Sequence, residues 1–467
     1  MQTDYLVKGC GASAMAFVDT MLKETDATFT IVDKRAAPGG HWNDAYPFVR
    51  LHQPSASYGV PSRPLGHMRK DTMGFNRGYY ELASGIEVTD HFHQVMRDVF
   101  LPSGRVNYHP VSEVTSDENS IKGEFVSLLS GDRHQVGINK KFVDATALQT
   151  SIPLTHTRKF EVADGVTCIP PNDLTRVAAK HKHFTVLGAG KTAIDSVLWL
   201  LANGANPAAV TWVVPRDPWL VNRAHFQPGD EFFESSIAAL AEQNVAVAAA
   251  TTVRDLCERL EAQGIWLRIN PTVWPTMMHG ATVNDAELTR LRQVGRFVRG
   301  QRVRRLESTR MVLDNEAVAA DASQLYVDCT ARALAANVHD YRPVFESRII
   351  RLQMIRQFQP TFSAALIGHI EASVMDEVEK QRLAQVAPMT DTAEDWVTMM
   401  IASMTNQGNW SANKEIVNWI ANCRLDLFSG QARRLKPEDT SKLAALVRMR
   451  ELGGPALRNL HKLAKGG

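Results

Sequence analysis

The sequence predicts an α/β fold with two open-sheet, Rossmann-like units and a mostly helical C-terminal region. Three observations carry this. Two stretches far apart in the chain, from Asp4 and from Phe184, each read as strand, glycine turn, helix and second strand. From about Ala372 onwards the apolar residues keep helical spacing. Hydrophobic residues make up 44% and charged residues 22% of 467 positions, a globular composition that excludes disorder and fibrous repeats.

At roughly 150 residues per domain this length gives about three domains, or two large ones with insertions. Lys plus Arg number 52 and Asp plus Glu 50, a net charge of +2, so no global field recruits nucleic acid or an anionic membrane. The five cysteines, Cys10, Cys168, Cys257, Cys329 and Cys423, are scattered without a CxxC, so neither a zinc knuckle nor a redox pair is written locally. A reduced, cytoplasmic setting is expected. Tyr5-Leu6-Val7 begins a strand without the basic start and apolar core of a signal peptide, and no apolar run reaches the length of a membrane span.

In the first unit, apolar residues to Val7 lead into Gly9-Cys10-Gly11-Ala12-Ser13-Ala14. Met15 to Leu22 then carries a helical pattern, and Phe29-Thr30-Ile31-Val32 is a short strand ending at Asp33, with Lys34 beside it. This is the Rossmann arrangement. Backbone N–H groups of the turn and the helix N-terminus meet a pyrophosphate, and an acid about twenty residues on accepts hydrogen bonds from a ribose. Ala14 holds the third glycine position, where smallness is the requirement. Lys8, at the end of the first strand, leaves three readings open: pairing with a buried carboxylate, reaching the phosphates, or snorkelling outward. Cys10 reads as a small residue filling a tight turn.

The second unit runs from Phe184-Thr185-Val186-Leu187 through Gly188-Ala189-Gly190-Lys191-Thr192-Ala193, a helix to Leu201, and the strand Val210-Thr211-Trp212-Val213-Val214. No acid follows. Pro215-Arg216 does, and an arginine there suits a 2′-phosphate, so this site leans towards NADPH over NADH.

The remaining regions are less expressive. Gln301 to Val318 reads as an edge hairpin with a solvated arginine face, without the aromatic interleaving of a nucleic-acid surface. His91-Phe92-His93 and His181-Lys182-His183 would place two rings on one face of a strand, but no third ligand follows, so no metal is expected. Trp219, Trp266 and Trp274 read either as core or as walls of a substrate cavity.

Gly39-Gly40-His41-Trp42 after the Asp33 strand, Tyr46-Pro47, Arg50, and the later Gly188-Ala189-Gly190 turn together resemble the two-dinucleotide flavoprotein monooxygenases, the flavin-containing monooxygenases with their Baeyer–Villiger and N-hydroxylating relatives. The resemblance covers about 370 residues, judged by where the motifs fall. It implies FAD at Gly9, Gly11, Ala12, Ser13, Ala14, Asp33, Lys34, Gly40, His41 and Trp42. It implies NADPH at Gly188, Gly190, Lys191, Thr192, Ala193 and Arg216. Val327-Asp328-Cys329-Thr330-Ala331 is similar to the family's return segment, which adds Thr330 and Ala331 to the cofactor residues. Phe362 to Ala372, with Gly368-His369-Ile370-Glu371, is expected to close the flavin site. Arg50, His52 and Gln53 fall where the family's chain passes the isoalloxazine edge, and are the catalytic candidates.

The family's linker fingerprint is matched in part. His156 and Phe160 are kept, but Thr150 and Ile152 stand where Phe and Gly belong, which disfavours Baeyer–Villiger chemistry. His156 reads either as a loop histidine satisfied by backbone or as part of a segment that couples domain motion to chemistry.

The resemblance implies an FAD domain over 1–160, an NAD(P)H domain over 161–325, an FAD return segment over 326–375 and a helical region over 376–467. It implies hydride delivery from NADPH to the flavin, then transfer of one oxygen atom from an adduct at the flavin C4a carbon to a small organic substrate. N- or S-oxygenation or hydroxylation is favoured. Two alternatives stay open: a flavoprotein reductase or oxidase without oxygen transfer, and a degenerate nucleotide-binding partner without turnover. The expected partners are substrate and dioxygen, with a homodimer left open and neither nucleic acid nor membrane.

Overall fold

The structure is a computed structural model that describes residues 1–148, 151–321, 323–332 and 341–466. The first unit opens with β1 (Gln2–Lys8), α1 (Ala12–Glu24) and β2 (Phe29–Val32), then α2 (Gly85–Val95) and β3 (Val106–His109). An antiparallel meander follows, β4 (Ser112–Val114), β5 (Lys122–Ser127) and β6 (Arg133–Asp144). β7 (Glu161–Val162), β8 (Thr167–Ile169) and α3 (Pro171–Val177) lead into the second unit, whose nucleotide half is β9 (Phe184–Leu187), α4 (Lys191–Ala202) and β10 (Val210–Val214). An insertion carries β11 (Leu220–Asn222), α5 (Asp230–Ala249), α6 (Val253–Ala262), β12 (Trp266–Leu267), β13 (Thr282–Val283) and α7 (Asp285–Leu291). β14 (Arg296–Arg299), the meander β15 (Val303–Leu306), β16 (Arg310–Leu313) and β17 (Ala317–Ala319), and β18 (Leu325–Asp328) complete it.

The chain then returns to the first sheet through β19 (Phe345–Glu346), β20 (Ile349–Arg351) and α8 (Pro360–Ser373). α9 (Glu377–Leu383), α10 (Ala393–Ser411), α11 (Lys414–Asn422), α12 (Ser429–Arg434) and α13 (Thr440–Leu463) follow, in line with the expected helical region.

The first sheet has the order β19-β20-β6-β1-β2-β3, with β1 parallel to both β2 and β6. The second has the order β14-β10-β9-β18-β8, parallel throughout. Central strands β2 and β9 are buried along their whole length, which is why they read as short continuous apolar runs. α1 and α8 pack on the first sheet through Phe17, Met21, Phe362 and Leu366, and α4 packs on the second through Ile194 and Val197.

Two readings are corrected. His91 and His93 lie on α2, where neighbours two apart point to different faces, and not on a strand. The sequence held the signal for this helix, since Ser84 and Glu87 form a capping box at its start. The predicted hairpin within 301–318 is the meander β15-β16-β17, whose first strand also pairs with β7. No helix among the described residues is long and apolar enough to cross a membrane.

Candidate functional site

The two glycine turns have the same construction. Gly9 has φ +94° and a Cβ there would meet Thr146 Cγ2 at 2.9 Å; Gly188 has φ +113° and a Cβ would meet the carbonyl oxygen of Cys329 at 2.5 Å. Each turn therefore needs glycine both for its conformation and for the chain beside it. Gly40 extends the first turn: its Cα side faces Gly11 so closely that a Cβ would meet Gly11 Cα at 2.8 Å. The Gly39 N–H donates to the Cys10 carbonyl at 2.8 Å, which fixes this approach.

A cavity of about 600 Å³ runs from the first turn to the second. Gly9, Gly11, Ala12, Ser13 and Asp33 border one end, and Lys191 and Thr192 the other. Gly40, His41, Trp42 and Ala331 border it as well, and Arg50, His52 and Gln53 line it between the turns. Three helices, α1, α4 and α8, point their first turns at this space, and none has a side-chain cap. Their leading N–H groups are free of side-chain caps and available to a bound anion, as at several other helix starts of the chain.

Several predicted residues lie outside the cavity wall. Ala14 is fully buried beneath the turn, consistent with a packing role. Lys34 turns away and pairs with Glu113 at 2.7 Å. Gly188, Gly190, Ala193 and Thr330 shape the second turn and the return segment without bordering the cavity. The return segment is held by Asp328, which accepts from the Thr330 N–H at 3.0 Å and its hydroxyl at 2.7 Å. His156 Nε2 meets the same Asp328 carboxylate at 3.0 Å, so this histidine is satisfied by a side chain from the chain's return, not by backbone. Thr150 of the linker fingerprint lies outside the described residues. Lys8 is half-buried at the end of β1 and meets no carboxylate among the described residues.

Arg216 departs most from expectation. Its Nη1 donates to both Asp391 carboxylate oxygens, at 2.9 and 2.8 Å, and its Nη2 donates to the carbonyls of Thr276 and Asp391. His279 Nε2 meets the same carboxylate at 2.7 Å.

The segment expected to close the flavin site, Phe362 to Ala372, does not border the cavity; the three residues just before it, Gln359, Pro360 and Thr361 at the start of α8, do. Gly368 to Glu371 lie at the opposite end of the helix, with His369 on Glu24 at 2.7 Å and Glu371 on Lys141 and Lys380. Thr361 Oγ1 is buried without a hydrogen-bond partner among the described residues.

Electrostatics sets the state of the central strip. Burial, with the nearby charges of Lys191 and Arg223, pushes the His52 imidazole well below its usual range, so the ring is neutral at pH 7. Its Nδ1 accepts from the Thr282 N–H at 3.3 Å, which leaves the proton on Nε2 as a donor. Lys191 is held by Asp195 and donates to the Arg50 carbonyl at 3.2 Å, while the Tyr46 hydroxyl donates to Asp195 at 2.7 Å. The second turn is thus tied to the strip that passes the first.

Two supporting residues had no local signal. Arg223, fully buried, donates to the His52 carbonyl at 2.8 Å and the Thr282 carbonyl at 3.1 Å, and pairs with Glu287 at 2.8 Å. Arg424 donates to four backbone carbonyls, those of Ala56, Tyr58, Val60 and Arg63, and so holds the loop whose Ser57 and Tyr58 border the cavity. The tryptophans divide: Trp219 and Trp266 are core, and Trp274 with Trp219 walls a separate pocket.

The donor set fits FAD. A glycine cradle open towards the cavity, an acid at its ribose end, two uncapped helix starts and the orphaned Thr361 hydroxyl are what a dinucleotide with a pyrophosphate requires. The second turn fits a pyridine dinucleotide's pyrophosphate, but Arg216 as it stands does not fit a 2′-phosphate.

A scan against family models finds no match. The chain is 42% identical over 432 residues to the uncharacterized protein Rv2000 of Mycobacterium tuberculosis, covering 92% of this chain and 78% of that one. The uncharacterized protein Mb2023 of Mycobacterium bovis matches to the same extent. The chain belongs to their family. Among solved structures, an oxidized steroid monooxygenase bound to NADP superposes with a TM-score of 0.50 at 13% identity, over 80% of this chain and 85% of that one. That likeness shows the fold, which is the one used by two-dinucleotide-binding flavoprotein oxidoreductases.

Proposed function

We propose that the protein is an FAD-dependent oxidoreductase fed by NAD(P)H, and that it transfers one oxygen atom from dioxygen to a small organic substrate by N- or S-oxygenation or hydroxylation. The observation that carries this reading is the cavity that reaches from the first glycine turn to Lys191 and Thr192 at the start of α4, with the polar strip Arg50 to Gln53 between them. Two dinucleotides held in one cavity are positioned for transfer between them.

FAD, held by the first turn, would supply the two-electron chemistry that links a nicotinamide hydride to dioxygen, one oxygen atom going to the substrate and the other leaving as water. The chain's own part is to bind and to donate. The N–H groups of Gly11 to Ser13 and of the α8 start hold the pyrophosphate, and Asp33 accepts from ribose hydroxyls. Neutral His52 offers its Nε2–H to negative charge that develops near the strip, in a site where water is displaced. Arg223, through the His52 carbonyl, and Lys191, through the Arg50 carbonyl, fix this strip against the second unit. Disulfide reduction is not served, because none of the cysteines borders the cavity among the described residues.

The test is stoichiometric. The purified protein, loaded with FAD, is mixed with NADPH or NADH without oxygen and the flavin bands are followed; air and a probe substrate, a thioether or a tertiary amine, are then admitted. Bleaching followed by one oxygenated product per nucleotide consumed supports the proposal. Bleaching with hydrogen peroxide or water as the only oxygen product would instead make the protein an oxidase. Failure to bind flavin would leave the degenerate reading.

A further inference from the structure

We propose that Asp391 is a specificity-determining residue for the pyridine nucleotide: it sits as a resident anion on the Arg216 guanidinium, where a 2′-phosphate would bind, and so removes the chain's preference for NADPH over NADH. This rests on the nucleotide site proposed above.

Arg216 is the second residue after β10, the position from which an arginine meets a 2′-phosphate in this fold. Its Nη1 is shared between the two carboxylate oxygens of Asp391, and its Nη2 is used by two backbone carbonyls. The charge is therefore neutralised and both terminal nitrogens are engaged. A 2′-phosphate arriving here would meet an ionised carboxylate as well as the guanidinium, and like charges at this distance repel.

Asp391 is not a passing contact. The Met278 N–H donates to its carbonyl at 2.9 Å, the Thr390 hydroxyl donates to the Met278 carbonyl, and His279 meets its carboxylate. Residues 389–392 thus form a strap across 276–279, followed by α10, whose capping box closes on Thr392 and Asp395. Met389, on the same strap, borders the main cavity, so the anion on Arg216 and the cavity wall belong to one short segment.

The test is calorimetric titration of the full FAD-loaded chain with NADP⁺ and NAD⁺, which differ only in the 2′-phosphate and whose binding is read without turnover. The wild-type chain should bind the two within about threefold of each other, under 1 kcal/mol on the scale where tenfold is about 1.4. Asp391→Ala should tighten NADP⁺ by about tenfold or more, the size of a freed charge-assisted contact, and leave NAD⁺ within about threefold. Asp391→Asn, which keeps the shape of the strap, should move in the same direction by less. Arg216→Gln in the otherwise unchanged chain should alter neither affinity selectively. A wild-type preference for NADP⁺ of tenfold, an unchanged ratio in both Asp391 variants, or a selective loss of NADP⁺ in Arg216→Gln would each overturn this inference alone. Binding of neither nucleotide would overturn the nucleotide site and this inference with it.

Discussion

The two glycine turns begin alike and finish differently. Each follows a buried strand, bends through a glycine at positive φ and starts a helix without a side-chain cap. At the first, the acid after β2 turns back on its own turn: Asp33 accepts from the Cys10 N–H at 2.5 Å and from the Arg35 N–H at 2.7 Å, and still borders the cavity. At the second, the base after β10 turns outward to a residue 175 positions away. A phosphate cradle is a local object, fixed by a dozen residues. Sugar recognition is not, because the side chain that reads the ribose is free to find a partner anywhere in the fold.

The comparison can be broken most directly at the glycines. Gly188→Ala would place a Cβ against a backbone oxygen that cannot move aside, at a φ that L-residues avoid, so strain and overpacking add to a loss of about 3 kcal/mol or more. Gly9→Ala would meet one threonine methyl at a longer distance and no backbone oxygen, and should cost about 1–2 kcal/mol less, the remaining loss including the Thr146 hydroxyl's bond to Asp144 if that side chain turns aside. Urea unfolding of the two variants measures the difference. Equal losses would show that the two turns are equally constrained and that the packing of Cys329 on Gly188 adds nothing.

A smaller effect separates the two nucleotide ends. Asp33→Ala should weaken FAD binding by about tenfold to a hundredfold, the loss of charge-assisted hydrogen bonds of about 1.5–3 kcal/mol, and leave pyridine-nucleotide affinity unchanged. The flavin retained after gel filtration and the dissociation constant on reconstitution measure it. Unchanged flavin affinity would mean that Asp33 serves only the backbone of its own turn.

How much of this was legible follows the same division between local and distant. Both βαβ units could be read because each lies within about forty residues, where strand apolarity, glycine and helix period are contiguous signals. The acid at position 33 and the turn residues came with them. The sequence places Arg216 just after the second strand of its unit but does not show its partner, because Asp391 on the strap before α10 carries no periodic or motif signal. The same holds for Arg223, whose partners at 52, 76, 282 and 287 meet only in the fold. The closing segment expected over 362–372 lies within α8 but misses the cavity, because its small and polar residues at 368–371 stand at the far end of the helix. A helix presents its N–H groups at its start, and there the sequence shows Gln359-Pro360-Thr361, a proline at the first helical position and no cap.

The smallest expected effect tests whether the outward-turning end is a fixed part of the fold. Burial raises the Asp391 carboxyl, but the hydrogen bond from His279 and the Arg216 guanidinium outweigh it and hold the group below its usual value of 3.8. Burial likewise pushes His279 down, so at pH 7 the imidazole is neutral and donates its Nε2–H to the carboxylate. The sign follows. A carboxyl whose folded value is depressed contributes stability that is fully present above its unfolded value and is lost as pH falls through the folded one. Asp391→Asn should therefore cost about 1 kcal/mol at pH 7, a modest figure because the pair is partly exposed, with the deficit constant down to about pH 5 and closing only below about pH 4. Urea denaturation of both proteins from pH 7 to pH 3 measures it. A deficit absent at pH 7, or one that does not close in acid, would mean that Asp391 is a loose surface group, and the contrast between the two nucleotide ends would then reduce to the identity of the residue after the strand.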